Sequence, residues 1–465
     1  HKEYFSTRNR KDKLDLKARE HKLRMEFSEE LKKSAFPAQE AEDIANWDPY
    51  SVNSIAPFFN PTIMFGLTNF NIVIANPPYV RQENIAYKDL LDKSGYQIFN
   101  STSDLYTYFY ELAYKLLSEN GIATFITSNK WLRSKYGTKL RQFLKQNTKL
   151  QIVIDFGGYQ VFKSSTVDTN IILFLKAKPE PQHLFNFVNI PADLKPENLS
   201  QFLYNNMQTL QQKTLEDKCW TLADNSILNL KTKIEKAGKP LKDWDVNIYR
   251  GVLTGCNEAF IIDTPTKEAI CIADPKSIEI IKPVLRGRDI HKYYYEWAGL
   301  WLIIIPSGWT NLNIPDNIDA EQFIKLCYPA VYNYLKTKGD AIENKIIKVK
   351  GKGLYDRDDQ GDYWWELRDC SYYNEFNKNK IIWADINLIA KFSYDNKQYY
   401  MEATSFVMTG ANLIYILAIL NSKLFDFYFN LISPTLSNKA KRFKKVYIEQ
   451  FPIPIYQKTD TTLEL

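Results

Sequence analysis

Residues 70–81, FNIVIANPPYVR, constrain this chain more than any other stretch. Asn71 to Ala75 is mostly β-branched and reads as a buried strand, and it runs straight into Asn76-Pro77-Pro78-Tyr79. Two successive prolines fix φ and remove two backbone donors, so the strand cannot pass into a helix and the carbonyls of the turn lack internal partners. A rigid set of acceptors therefore stands beside an aromatic ring, at the strand end where open α/β sheets place their ligands. The Asn76 side-chain oxygen and the Pro77 carbonyl can each accept a hydrogen bond from an amino nitrogen on a planar group, with Tyr79 stacked on that group. Accepting both protons turns the nitrogen lone pair toward an electrophile, without metal or covalent nucleophile. A bare Pro-Pro is more often only a turn; its place after a strand is what points to chemistry.

Downstream, Ser103-Asp104 is placed to cap a helix over about 105–117. Leu105, Tyr108, Phe109, Leu112 and Leu116 keep helical spacing there, and Gly121 is expected to end it. A strand follows at Ile122–Thr127, then Ser128-Asn129-Lys130-Trp131-Leu132, a short helix over about 137–146, a strand at Leu150–Phe156 and another at Asn170–Leu175. This order predicts an α/β fold, the C-terminal half of a doubly wound Rossmann-like domain closed by an antiparallel hairpin.

Asn76-Pro77-Pro78-Tyr79, then Asp104-Leu105-Tyr106, the Gly121–Leu132 segment, and Val161-Phe162-Lys163 ahead of Val167-Asp168-Thr169-Asn170 follow one another in an order that resembles the gamma-class adenine N6 DNA methyltransferases. The resemblance implies catalytic roles for Asn76, Pro77, Pro78 and Tyr79. It also implies that Tyr79 and Phe162 sandwich an adenine extruded from duplex DNA, the clamp offsetting part of an extrusion cost of about a few kcal/mol. Some protein glutamine methyltransferases share the tetrapeptide, which alone identifies amide or amine methylation.

The methyl donor implied is S-adenosylmethionine, held in this fold by a Gly-rich loop after the first strand. Gly66 is the only glycine before Asn76, and Gly157-Gly158 leads into a hairpin loop rather than a helix. The main donor-binding loop is therefore expected outside this chain, in an N-terminal remainder of the same polypeptide that also carries a nuclease. The chain alone is expected to be inactive.

The second half carries IYRGVLTGCNEAFII (248–262), IKPVLRGRDIHKY (281–293), YWWELRD (363–369), KIIWADI (380–386), a helix at Leu417–Phe429 and FKKVYIEQFPIP (443–454). Their order resembles the TaqI-type target-recognition domain and implies double-stranded DNA as partner. The residues themselves fit that partner. Arg286 and Arg288 flank Gly287, where backbone can approach a phosphate; Lys345, Lys348, Lys350 and Lys352 form a basic loop; Lys439, Lys441, Arg442, Lys444 and Lys445 form a second cluster. Any one such run is more often a solvated face; three in one domain favour DNA.

Four regions result: a charged helical connector (1–50), the catalytic region (51–178), a helical linker (179–240) and a mixed α+β target-recognition domain (241–456). The connector is read as a solvated helix with a narrow apolar stripe, paired in an αα-hairpin; Trp47 and Phe58-Phe59 follow as docking aromatics. With 45% apolar and 14% aromatic residues the chain is globular, and a net charge of +6 permits a nucleic-acid partner without requiring one. Five scattered cysteines and four histidines suggest reduced cytoplasmic thiols and no zinc site. Leu413–Ile432, broken by Asn421, Ser422, Lys423 and Asp426, reads as a buried helix rather than a membrane span. The function expected is methylation of adenine N6 in duplex DNA within a restriction-modification enzyme. The rivals are a non-catalytic DNA-recognition subunit and a protein glutamine methyltransferase.

Overall fold

The computed structural model describes residues 2–34, 38–51, 61–62, 66–162, 167–349, 351–433 and 440–455. The chain divides into two compact units, one formed by His1–Ile154, Asn170–Phe187 and Gln211–Asp217, the other by Asp155–Thr169, Val188–Leu210 and Lys218–Leu465.

The first unit opens with an αα-hairpin, Arg10–Lys33 against Ala38–Asn46. Its seam differs from the expected apolar stripe, since Leu14, Leu23, Met25 and Phe27 are exposed. Arg24 and Ser28 are buried instead: Arg24 donates to the carbonyls of Ile44, Ala45 and Trp47, and Ser28 to that of Ala41. A guanidinium at the C-terminal carbonyls of a helix satisfies acceptors that have no partner within the helix and complements the negative end of its dipole.

A sheet to which this unit contributes most of the residues has the strand order β1-β2-β4-β3-β5-β6, with β1 Phe70–Ala75, β2 Leu117–Ser128, β3 Lys149–Asp155, β4 Thr169–Leu175, β5 Leu184–Asn189 and β6 Gln208–Gln211. β1 and β2 pair in parallel, as a doubly wound fold requires. The helix after the motif is a 3-10 turn, Leu105–Thr107, continued by an α-helix, Tyr108–Leu116. Gly121 does not end it: β2 already begins at Leu117, and Gly121 lies inside the strand. A Cβ there would come within 2.8 Å of the Ser118 carbonyl and 3.1 Å of that of Asn71. β1 was expected to be buried, yet Ile72 and Ile74 are 59% and 74% exposed. The reason is its place at the edge of the sheet, with β2 as its single strand neighbour among the described residues. Residues 179–240 hold the strands β5 and β6 besides helices Leu199–Asn206 and Asn225–Ala237; in β5, Phe185 and Phe187 alternate inward at the period of a strand.

The second unit contains two four-stranded sheets. One runs Tyr400–Met401, Ile281–Leu285, Leu300–Ile303, Ile261–Asp263 in spatial order, the other Phe392–Asp395, Lys380–Ala384, Ser405–Gly410, Val246–Arg250. Each has its own core, the first around Phe260, Val284, Leu302 and Met401, the second around Trp383, Phe392, Phe425 and Phe443. The apolar stretch read as one helix is two, Leu413–Leu420 and Lys423–Ile432. Asn421 leaves the helical register to bond both the amide and the carbonyl of Phe392, and Ser422 caps the second helix through Phe425 N. None of the five cysteines, all among the described residues, forms a disulfide. Among the described residues no helix is long and apolar enough to cross a membrane.

Candidate functional site

The Asn-Pro-Pro-Tyr turn leaves the carboxyl end of β1 with Asn76 and Pro78 exposed, the Pro77 ring buried and Tyr79 half-buried. Neither the Asn76 side chain nor the Pro77 carbonyl has a hydrogen-bond partner among the described residues. Tyr79 is anchored at both ends. Its hydroxyl donates to the Ile126 carbonyl on β2 at 3.2 Å, and its ring meets the Tyr106 ring edge-on, centroids 6.1 Å apart. Burial pushes the Tyr79 phenol above its usual pKa, so it stays a neutral donor.

Asp104, Leu105 and Tyr106 each hold this turn. The Asp104 carboxylate accepts from Gln82 N at 3.0 Å, Leu105 N donates to the Val80 carbonyl at 2.9 Å, and Tyr106 supplies the edge under Tyr79. Asp104 was expected to cap the following helix with its side chain. It occupies the N-cap position with extended backbone but makes no side-chain cap, because Gln82 takes the carboxylate. Burial lifts its carboxyl above the ordinary range, opposed by the Gln82 bond.

Beneath the turn lies a buried polar network that sequence patterning did not single out. Thr127 Oγ1 and Trp131 Nε1 each lie 3.0 Å from Asn170 Oδ1, while the Tyr110 hydroxyl lies 2.6 Å from Thr127 Oγ1. Tyr110, Trp131 and Asn170 are essentially inaccessible. The signal available was a Trp and an Asn at strand ends, too common to select. A network of this kind fixes the carboxyl end of β2 to the amino end of β4.

Phe162 is half-buried, with its carbonyl accepting from Gln160 Nε2 at 3.2 Å, in the segment that groups with the second unit. Lys163 lies outside the described residues, as do Phe58-Phe59, Lys350 and Lys439.

The basic runs of the second half separate on folding. Arg286 binds Asp289 through both Nε and Nη2, at 3.1 and 2.8 Å, while its own amide bonds the same carboxylate. Gly287 is buried, and a Cβ there would reach Ala384 at 3.0 Å, so its backbone packs against protein rather than standing open to a phosphate. Arg288 is exposed. Lys352 pairs with Asp358 at 2.5 Å. Lys348 is exposed on a cleft of about 680 Å³ that it shares with Glu258, Asp359 and Glu402. Lys441 is buried, Arg442 pairs with Asp385 at 3.2 Å, and Lys445 reaches the Ile248 carbonyl at 3.1 Å. Lys444 is exposed at the start of a short helix. The second cluster is therefore no single basic face: Lys441 and Arg442 form a strand whose side chains alternate in direction.

Residues 3–162 match the family described as the Eco57I restriction-modification methylase, and residues 282–453 match the TaqI-like C-terminal specificity domain. The type II methyltransferase M.BstVI of Geobacillus stearothermophilus is 22% identical over 405 residues, covering 83% of this chain and 67% of that protein. The type II restriction enzyme and methyltransferase RM.Eco57I of Escherichia coli is 32% identical over 206 residues, 42% of this chain and 20% of that protein. Among solved structures, the type IIL restriction-modification enzyme MmeI in complex with DNA is similar in fold, with a TM-score of 0.53 at 12% identity over 82% of this chain and 46% of that one.

Proposed function

For a chain that joins an Eco57I-like restriction-modification methylase region to a TaqI-like C-terminal specificity domain, we propose methylation of adenine N6 in duplex DNA, as part of a longer restriction-modification enzyme. The observation that carries this reading is the clamped turn: Asn76 and the Pro77 carbonyl have no hydrogen-bond partner among the described residues while Asp104, Leu105 and Tyr106 hold the residues that follow them. A site that acts by positioning needs acceptors held in place before the substrate arrives.

In this reading Asn76 Oδ1 and the Pro77 carbonyl each accept a hydrogen bond from one N–H of the adenine amino group and aim its lone pair, so that the N–CH3 bond forms as the donor's S–CH3 bond breaks, the thioether product leaves and one N–H proton passes to solvent. Pro78 keeps the turn from relaxing. Tyr79 stacks on the extruded base, and Phe162 is proposed as the opposing ring from the sequence resemblance alone. S-adenosylmethionine supplies the electrophilic methyl group. Its main binding loop is assigned to a segment outside the described residues, since no Gly-rich turn leads from a strand into a helix among them. The exposed face of β1, with Ile72 and Ile74, offers that segment an apolar seat. Arg288 and Lys444 are the exposed cations proposed to meet DNA phosphates, with Lys350 from sequence alone; Lys348 is exposed but shares its cleft with Glu258, Asp359 and Glu402, and Arg286, Lys352, Lys441, Arg442 and Lys445 have internal partners or burial to give up first.

The test is transfer of labelled methyl from S-adenosylmethionine to mixed-sequence duplex DNA by this chain, by a longer polypeptide containing it, and by that polypeptide with Asn76→Ala. Label on adenine N6 from the longer polypeptide, abolished by the substitution, is expected. Transfer that survives Asn76→Ala would remove the turn from the mechanism, and transfer by this chain alone would place the donor loop within it.

A further inference from the structure

Most arginines expected to face DNA are engaged elsewhere, which leaves open what reads sequence. A cleft of about 330 Å³ in the second unit is lined on one side by Arg250 to Leu253 and on the other by Arg368, Asp369 and Tyr372. Arg368 has a side chain 57% exposed, yet it is not loose: Nη1 donates to Asp359 Oδ1 at 3.0 Å. Arg250, across the cleft, is held through Nε by the Ala403 carbonyl at 2.9 Å. The floor is backbone packed on backbone. Gly251 N and Val252 N bond the carbonyls of Ser405 and Met401 at 2.8 and 2.7 Å, and a Cβ on Gly251 would fall 2.1 Å from the Glu402 carbonyl.

These features separate two uses of arginine on DNA. A phosphate contact needs positive charge and tolerates freedom, whereas Asp359 and Asp369 beside Arg368 would repel a phosphate. A base edge presents donors and acceptors together, and is distinguished by a guanidinium whose plane is held in advance. We infer that Arg368, oriented by Asp359, is a specificity-determining residue that reads the O6/N7 edge of a guanine in the target sequence. The inference rests on the DNA-directed function proposed above. Asp359 acts through Arg368 and is a positioning residue, and Arg250 borders the same base step.

The experiment is selection of binding sites from a randomised duplex library by the full chain, with thermal melting of every variant alongside. Wild type is expected to enrich a motif with guanine at one position. Arg368→Ala flattens that position alone, with about tenfold discrimination lost. Arg368→Gln moves it from guanine to adenine, the base whose edge a carboxamide fits, a gain that misfolding cannot produce. Asp359→Asn partly flattens the same position without lowering the melting temperature. An unchanged motif in Arg368→Ala overturns the assignment. So does uniform weakening across all sequences with the salt slope reduced by about one, the mark of a phosphate contact. A wild-type chain that enriches no motif from the library overturns the DNA-directed reading itself, and the role of Arg368 with it.

Discussion

The Asp104 carboxylate accepts the Gln82 amide at 3.0 Å and so ties the start of one helix to the turn that leaves β1, across 22 residues of chain. Burial raises the Asp104 pKa above its ordinary 3.8. The sign follows: a carboxyl with a raised folded pKa binds protons more readily when folded, so its ionisation opposes folding, and stability falls as pH rises from 3.8 through the folded pKa.

Asp104→Asn keeps an acceptor for Gln82 and removes the charge. At neutral pH its melting temperature is expected to equal or exceed that of wild type, with a smaller change between acidic and neutral pH. Asp104→Ala leaves the amide unpaired and is expected to cost about 1–3 kcal/mol. Melting curves at several pH values decide this; an asparagine variant less stable than alanine would remove the hydrogen bond from the account.

Tyr79 separates anchoring from stacking. Tyr79→Phe loses only the bond to the Ile126 carbonyl and is expected to keep methyl transfer within about fivefold, a loss near 1 kcal/mol. Tyr79→Ala loses the ring, and the base-stacking energy of about 1–3 kcal/mol should appear in kcat/KM. Steady-state transfer by the longer polypeptide is the measurement, and equal losses in the two variants would contradict a stacking role.

Lys380 and Asp395 form an ion pair of 2.6 Å with both side chains fully buried. Burial lowers the Lys380 pKa, while Asp395 pulls it back up. The carboxylate also accepts from the Tyr295 hydroxyl and from the amides of Lys397 and Tyr399. Lys380→Met would strand that carboxylate at a cost of about 3–5 kcal/mol. Denaturant unfolding should show the loss, and a second change, Asp395→Asn, should recover part of it; additive losses would argue against coupling.

Gly121→Ala tests the close approach of β1 to β2. A methyl group there would lie 3.1 Å from the Asn71 carbonyl on β1 and 2.8 Å from the Ser118 carbonyl within β2 itself, so backbone must shift, at about 1–3 kcal/mol. A melting temperature unchanged from wild type would show that the strands can part freely there.

Local order was legible in the residues themselves. The β-branched run into two prolines marked β1 and its turn. The spacing of Tyr108, Phe109 and Leu112 marked the helix, and the order of strands through Asn170 marked an α/β sheet. These are properties of short segments, set by φ restriction and by side-chain period. Asn421-Ser422 was in plain view as a polar interruption, but that it splits a helix depends on Phe392, 29 residues away, offering both backbone groups. Charge was the least legible. Asp289, three residues on from Arg286, was a local hint that a turn would close on the guanidinium. Asp385 for Arg442 and the Ile248 carbonyl for Lys445 lie 57 and 197 residues away. Local residue order sets which segments become strands, turns and helices, and where acceptors stand on a stiff turn. Which cations remain available, and which carboxylate holds Arg368, follow from the packing of the folded chain, because an ion pair depends on segments brought within a few ångströms and no period along the chain records that distance.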